Sequence, residues 1–347
     1  MQASNTERNE KGFSLIEVMV AMGVMLVVSG AVFSLMQHSI KISAATYELT
    51  EAQESLRTAQ EYINRDLMNA GDGLKSLNNI TVPQNFVTNY LTRNPILASP
   101  GVANLSILTT DNDVPAGTTV LGTNPAVTIR STPLLTDRQT IMEIDSNFGA
   151  PVTPAAINSA GTAVTILPAD VARFATGEVY FISSSAGSTF GQITNITGVG
   201  TATPALLFAT GDSLGLNGRI SVISANGTLP ASIVRMKIIH YFVDANGLLT
   251  RRVFGVRNAA YTDSTIAEHV VSVQFVYSLD MRDSNGNVVQ PVTALTTSQQ
   301  ELAVRQVEVT VTVETTHALH HGQRERLSMN TSTSVRNMQF KQALQPN

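Results

Sequence analysis

Apolar residues fill the beginning of the chain without a break and then thin into a repeating stripe. Residues Phe13 to Met36 read FSLIEVMVAMGVMLVVSGAVFSLM, with Glu17 as their single charge. As a helix rising about 1.5 Å per residue, this run spans roughly 36 Å, enough for a bilayer core of about 30 Å. No proline precedes Pro83, so a helix can continue beyond it. Apolar residues then fall at Ala45, Leu49, Ala52, Leu56, Ala59, Ile63, Leu67 and Ala70, in steps of three and four. Glu48, Glu51, Glu54, Arg57, Glu61, Arg65 and Asp66 take the other faces, with Arg57–Glu61 and Glu61–Arg65 at helical pairing distance. Gly71 and Gly73 supply a stop. The pattern predicts one helix from Phe13 to about Ala70. Its first part, 13–36, is membrane-embedded; its second, 37–73, is amphipathic and packs its stripe on a globular head. An anchor followed by an extended coiled coil is the alternative, but the stripe is alanine-rich and lasts under four heptads.

The remaining pattern is that of strands. Over 76–230 turn-forming residues crowd short apolar runs, among them Val164–Leu167, Val179–Ile182 and Ile220–Ile223, and predict a variable β-rich region. Over 231–347 the signals sharpen. Ile233–Val243 and Leu248–Phe254 flank Asp244-Ala245-Asn246-Gly247, a hairpin signal. Val271, Val273, Phe275, Tyr277 and Leu279 alternate with Ser272, Gln274, Val276 and Ser278; Val307, Val309, Val311 and Val313 alternate with Glu308, Thr310 and Thr312, and Leu327, Met329, Thr331, Thr333 and Val335 repeat the pattern more weakly. Period two predicts half-buried antiparallel strands able to cover the helix with one face. The fold class expected is α+β: a long N-terminal helix on an antiparallel head with an inserted β module.

Composition narrows the function classes. Charged residues make up 14% of the 347 residues and the net charge is −4, so no electrostatic footprint for nucleic acid is present and none is expected as a partner. Cysteine is absent, which excludes disulfides, thiolate metal sites and cysteine nucleophiles. His317, His320 and His321 cluster without an acidic companion at helix spacing and read as a solvated loop rather than a metal site. Asp283-Ser284-Asn285-Gly286-Asn287 lacks the acidic spacing and distal glutamate of a calcium loop and reads first as a turn. Gly198-Val199-Gly200 has no third glycine and no following helix. With no nucleophile elbow, HExxH or Walker loop, neither a cofactor, a metal nor an enzymatic activity is expected.

The N-terminus carries the most specific chemistry. Ahead of the apolar run stands a short polar leader, MQASNTERNEKG. A secretory signal has an apolar stretch of about 7–15 residues with its cleavage site behind it, which fits this longer run poorly. A plain anchor leaves Glu17 unexplained, because a carboxylate at a helix centre in a bilayer costs about 2.5–3.5 kcal/mol. Glu17 is only five residues into the segment, so snorkelling to the interface is a second reading.

Lys11-Gly12-Phe13-Ser14-Leu15-Ile16-Glu17-Val18 resembles the class III signal of type IV prepilins. The resemblance implies cleavage between Gly12 and Phe13 by prepilin peptidase and N-methylation of the new Phe13 amine. It implies an assembly role for Glu17, whose carboxylate would meet the N-terminal amine of a neighbouring subunit. The partners implied are the peptidase, other pilin or pseudopilin subunits and the inner membrane; after processing the chain would sit in an extracytoplasmic filament. Arg65-Asp66-Leu67 with Ala70-Gly71, Ile266-Ala267-Glu268-His269-Val270, and Ser334-Val335-Arg336-Asn337 also resemble W-type minor pilins and J-type minor pseudopilins. Those families often carry a cysteine pair that is missing here, and the middle region has no counterpart. The expected function is a minor type IV pilin acting in pilus assembly. The alternatives are a minor pseudopilin of a type II secretion system and, from another class, a membrane-tethered adhesin or binding module.

Overall fold

The computed structural model describes residues 14–72, 74, 80–115, 135–224, 232–317 and 324–335. Two compact units meet in sequence between Glu51 and Ala52. The long helix α1 covers Leu15–Asn69, in agreement with the predicted element. Within the first unit it is helical throughout, and every large apolar side chain from Leu15 to Ile42 is exposed.

The second unit is an antiparallel β assembly. Its chain begins with β1 (Ile80–Pro83), the short helix α2 (Gln84–Tyr90), β2 (Leu97–Ser99), β3 (Val102–Leu105), β4 (Leu108–Pro115) and β5 (Leu135–Ile144). It continues with β6 (Ala156–Ile157), β7 (Ala163–Thr165), β8 (Val179–Ser184), β9 (Gly187–Gln192), β10 (Asn195–Thr197) and β11 (Ala205–Leu207). The last third holds β12 (Ser232–Val243), β13 (Leu249–Val256), β14 (Ala259–Ala267), β15 (Val270–Leu279), α3 (Ser298–Leu302), β16 (Val304–Glu314) and β17 (Arg326–Ser334). The central sheet has seven strands in the order β14-β13-β12-β5-β4, with β8 on β12 and β9 on β8. β12 is long enough to pair with β5 through Met236–Tyr241 and with β8 through Ser232–Arg235, which joins the middle of the chain to its last third. Smaller sheets run β1-β3-β2, β10-β11-β7-β6 and β15-β16-β17.

Local chemistry explains the clearest elements. β12 and β13 turn through Asp244, whose carboxylate accepts from the amides of Asn246 and Leu248, while Gly247 takes φ +75°. On β16 Val307, Val309, Val311 and Val313 are all buried, and between them Glu308 is exposed while Thr310 and Thr312 are half-buried. One predicted strand is different: Ile220–Ile223 lies inside a 3-10 helix, Asn217–Ser224, with Ile220 and Ile223 both buried. The spacing of those two isoleucines suits one helical turn as well as an apolar strand, and four residues do not separate the two.

The amphipathic half of α1 buries Ala52, Leu56, Ala59, Ile63 and Leu67, and Ala70 follows just past its end. Ala45 and Leu49 of the same stripe are half-buried. Alanines let the backbone approach closely, while Leu56, Ile63 and Leu67 each contribute about 1.5–3 kcal/mol of burial. Removing one methyl group by Ile63→Val should therefore cost about 0.5–1.5 kcal/mol, read as a lower midpoint in denaturant unfolding. The helix ends at Gly71, which takes φ +75°, a left-handed conformation that carries no side-chain penalty only for glycine. Its amide donates to the Met142 carbonyl on β5 at 2.8 Å, so the stop is also a contact with the sheet.

Candidate functional site

Ser14 and Glu17 cap the start of α1. The Ile16 amide donates to the Ser14 hydroxyl oxygen at 3.2 Å, and the Ser14 amide donates to Glu17 Oε2 at 3.0 Å. This reciprocal arrangement is a capping box with its serine half shifted to the N2 amide: two amides that the first helical turn leaves without partners are satisfied by side chains. The signal, a serine followed three residues later by glutamate, stands in the sequence as Ser14-Leu15-Ile16-Glu17. Reading Glu17 only as a charge in an apolar run overlooked it. Glu17 is exposed, and Gly12 and Phe13 lie outside the described residues. Behind the cap, α1 is long and apolar enough to cross a membrane, and none of that stretch is buried.

At its other end α1 carries a polar tie to the central sheet. Asp66 is buried, although its charge had placed it among the solvent-facing residues of the helix. The Tyr241 hydroxyl donates to Asp66 Oδ2 at 2.6 Å, and Arg251 Nε donates to the same oxygen at 2.6 Å. Burial, and then the Asp66 carboxylate, push the Tyr241 phenol far up, which keeps it a donor. Arg65, half-exposed, approaches Asp66 Oδ1 at 3.5 Å and lies 4.8 Å over the Tyr62 ring, so among the described ion pairs it faces Asp66 rather than Glu61. Two residues before Asp66, Asn64 donates to the Thr331 hydroxyl at 3.2 Å and accepts from the Thr333 hydroxyl at 2.6 Å, both on β17. The Glu268 amide, at the turn from β14 to β15, donates to Ser55 Oγ at 3.2 Å. These contacts give Asp66 of the Arg65-Asp66-Leu67 run and Glu268 of the Ile266–Val270 run a physical role. Arg336 and Asn337 lie outside the described residues.

The charged row continues across the sheet. Lys237 on β12 sits between Glu143 at 3.6 Å and Asp145 at 3.3 Å, and Arg235 joins Asp145 at 2.7 Å and Glu178 at 3.0 Å. Burial pushes the Glu143 carboxyl up, with Lys237 opposing. The two cations of β12 thus place a positive charge beside each of the carboxylates of Glu143, Asp145 and Glu178, the arrangement that buried charge requires.

The remaining candidates are loops. Asp283 accepts from the amides of Asn285 and Asn287, and Arg282 bridges to Val288, so the segment is a tight turn. His317 is exposed after β16, while His320 and His321 lie outside the described residues. Among the described residues no group of three metal-ligating side chains comes together.

No curated protein and no solved structure matches the chain. Residues 8–33 match the family model described as the prokaryotic N-terminal methylation motif, the segment that contains the cap and the start of the apolar helix. The motif and the helix behind it support a type IV prepilin-like precursor and fit a membrane-anchored, single-pass chain.

Proposed function

We propose that this protein is a minor type IV pilin, a structural subunit that acts in the assembly or initiation of an extracytoplasmic filament. On this reading prepilin peptidase cuts between Gly12 and Phe13 and the new Phe13 amine is methylated. The apolar half of α1 then passes from the inner membrane into the filament, among other pilin or pseudopilin subunits. The observation that carries the proposal is the methylation-motif match over residues 8–33, which contains the cap and the start of an apolar helical stretch whose large apolar side chains, Leu15 to Ile42, are all exposed. Such a helix needs a bilayer or neighbouring helices around it.

Glu17 has a physical role in this scheme. A carboxylate and an ammonium brought together in a low-dielectric core offset each other's desolvation, while either left alone is costly. The pair would set subunit register, and the methylated secondary amine keeps its positive charge. Intact mass and N-terminal sequencing of the protein from membranes, with and without prepilin peptidase, test the reading. The expected product begins at Phe13 with one added methyl group only when the peptidase is present. A chain beginning at Met1, or cut after Ala45, would overturn it.

A further inference from the structure

Glu301, on α3, is 1% exposed and has no cationic partner among the described residues. The Ser106 hydroxyl donates to its Oε2 at 2.5 Å. The Thr109 hydroxyl of β4 lies beside the same carboxyl, and its buried oxygen has no hydrogen-bond partner. An ionised carboxylate here would rest on hydroxyl donors alone. A neutral carboxylic acid can instead give its own proton to the Thr109 oxygen, which satisfies both groups.

The elements packed around it offer no compensating charge. On α3 itself Glu301 is the only ionisable residue. From β5, the buried Asp137 accepts from the amides of Asp113 and Phe275 at 2.9 and 2.8 Å. From β15, the Tyr277 hydroxyl enters the same layer and donates to Gln139. On β4, Asp111 and Asp113 add negative charge near Asp137. The neighbouring cations are committed elsewhere: Arg93 to Asp111 at 3.0 Å, and Arg305 to Asp280 at the rim. Arg138, on the same strand as Asp137, is attracted to Asp111.

We propose that Glu301 is a proton-dependent latch: its neutral carboxyl holds α3 in the seam against β4, and loss of the proton releases α3. Burial pushes the Glu301 carboxyl up to about 8, and that of Asp137 to about 6. Both folded-state values are raised above those of an unfolded chain, about 4.3 for glutamate and 3.9 for aspartate. The stabilisation is therefore complete at low pH and lost as pH rises, until the folded group has itself ionised. For one proton, the opening equilibrium of α3 rises about tenfold per pH unit and levels off above about pH 8.

Hydrogen exchange of the full-length protein in detergent, read by mass spectrometry on the peptide from Thr297 to Val304, tests this directly. Its Glu301 amide is held by the carbonyl of the N-cap Thr297 and its Ala303 amide by those of Gln299 and Gln300, so both report release. After correction for the intrinsic rate, protection should fall roughly a hundredfold between about pH 5.5 and 7.5. Glu301→Gln, which cannot ionise, should flatten that slope. A wild-type slope of zero overturns the latch, and so does an unchanged slope in Glu301→Gln. Should the variant fold poorly, the wild-type curve still decides: levelling near pH 6 assigns the proton to Asp137 and overturns the proposal, whereas a slope continuing to pH 8 supports it.

Discussion

Asp66→Ala should destabilise the head by about 3–5 kcal/mol, the usual cost of removing one partner from a buried ion pair. The substitution leaves the Arg251 guanidinium, 16% exposed, and the buried Tyr241 hydroxyl facing an empty site. Thermal unfolding followed by circular dichroism should show a midpoint lower by roughly 6–20 °C. The loss comes from the stranded charge rather than from a missing attraction, which gives a second expectation. Replacing the whole tie with apolar residues of similar size, as Asp66→Leu with Arg251→Met and Tyr241→Phe, should recover much of the stability. If Asp66→Ala melts within about a degree of the parent, Asp66 does not dock the helix.

Glu17→Ala should leave cleavage between Gly12 and Phe13 intact yet lower incorporation into filaments by roughly a hundredfold, the equivalent of about 3 kcal/mol for an ammonium left unpaired in an apolar environment. Cleavage is read by the N-terminal sequence and incorporation by the protein recovered with sheared filaments. The capping box gives Glu17 a second task, and Glu17→Gln separates the two. Glutamine can still accept from the Ser14 amide and preserve the cap, but it carries no charge for an amine. Assembly of Glu17→Gln at the parental level would show that the cap alone matters. Failure of both variants, with processing intact, would place the requirement on the charge.

Much of this fold was legible because the elements that matter have strong local periods. The stripe from Ala52 to Ala70 and the alternation from Val307 to Val313 each repeat over several turns or residue pairs, and both are buried where the pattern predicts. The hairpin at Asp244 was equally plain, since its turn is made by residues adjacent in sequence. Asp66 was misread for the opposite reason. Helical spacing shows that a charge lies near an apolar stripe, but its partners, Tyr241 and Arg251, stand 175 and 185 residues away. Glu301 is similar: Thr297-Ser298-Gln299-Gln300-Glu301 reads as a polar stretch, and only the approach of Ser106 makes its last residue an interior group. The capping box was local, so Ser14 could have been found from the sequence alone.

Asn64 is held by Thr331 and Thr333, some 267 and 269 residues later in the chain. The strand that fastens this turn of the helix is therefore synthesised long after the helix itself. Closing so long a loop is slow compared with forming a local hairpin such as β12–β13. Until β17 arrives, α1 has neither of the threonine contacts that seat it there. Docking of this turn therefore waits on a distant strand: a chain interrupted before Arg326 would hold the helix without the clasp that Thr331 and Thr333 provide.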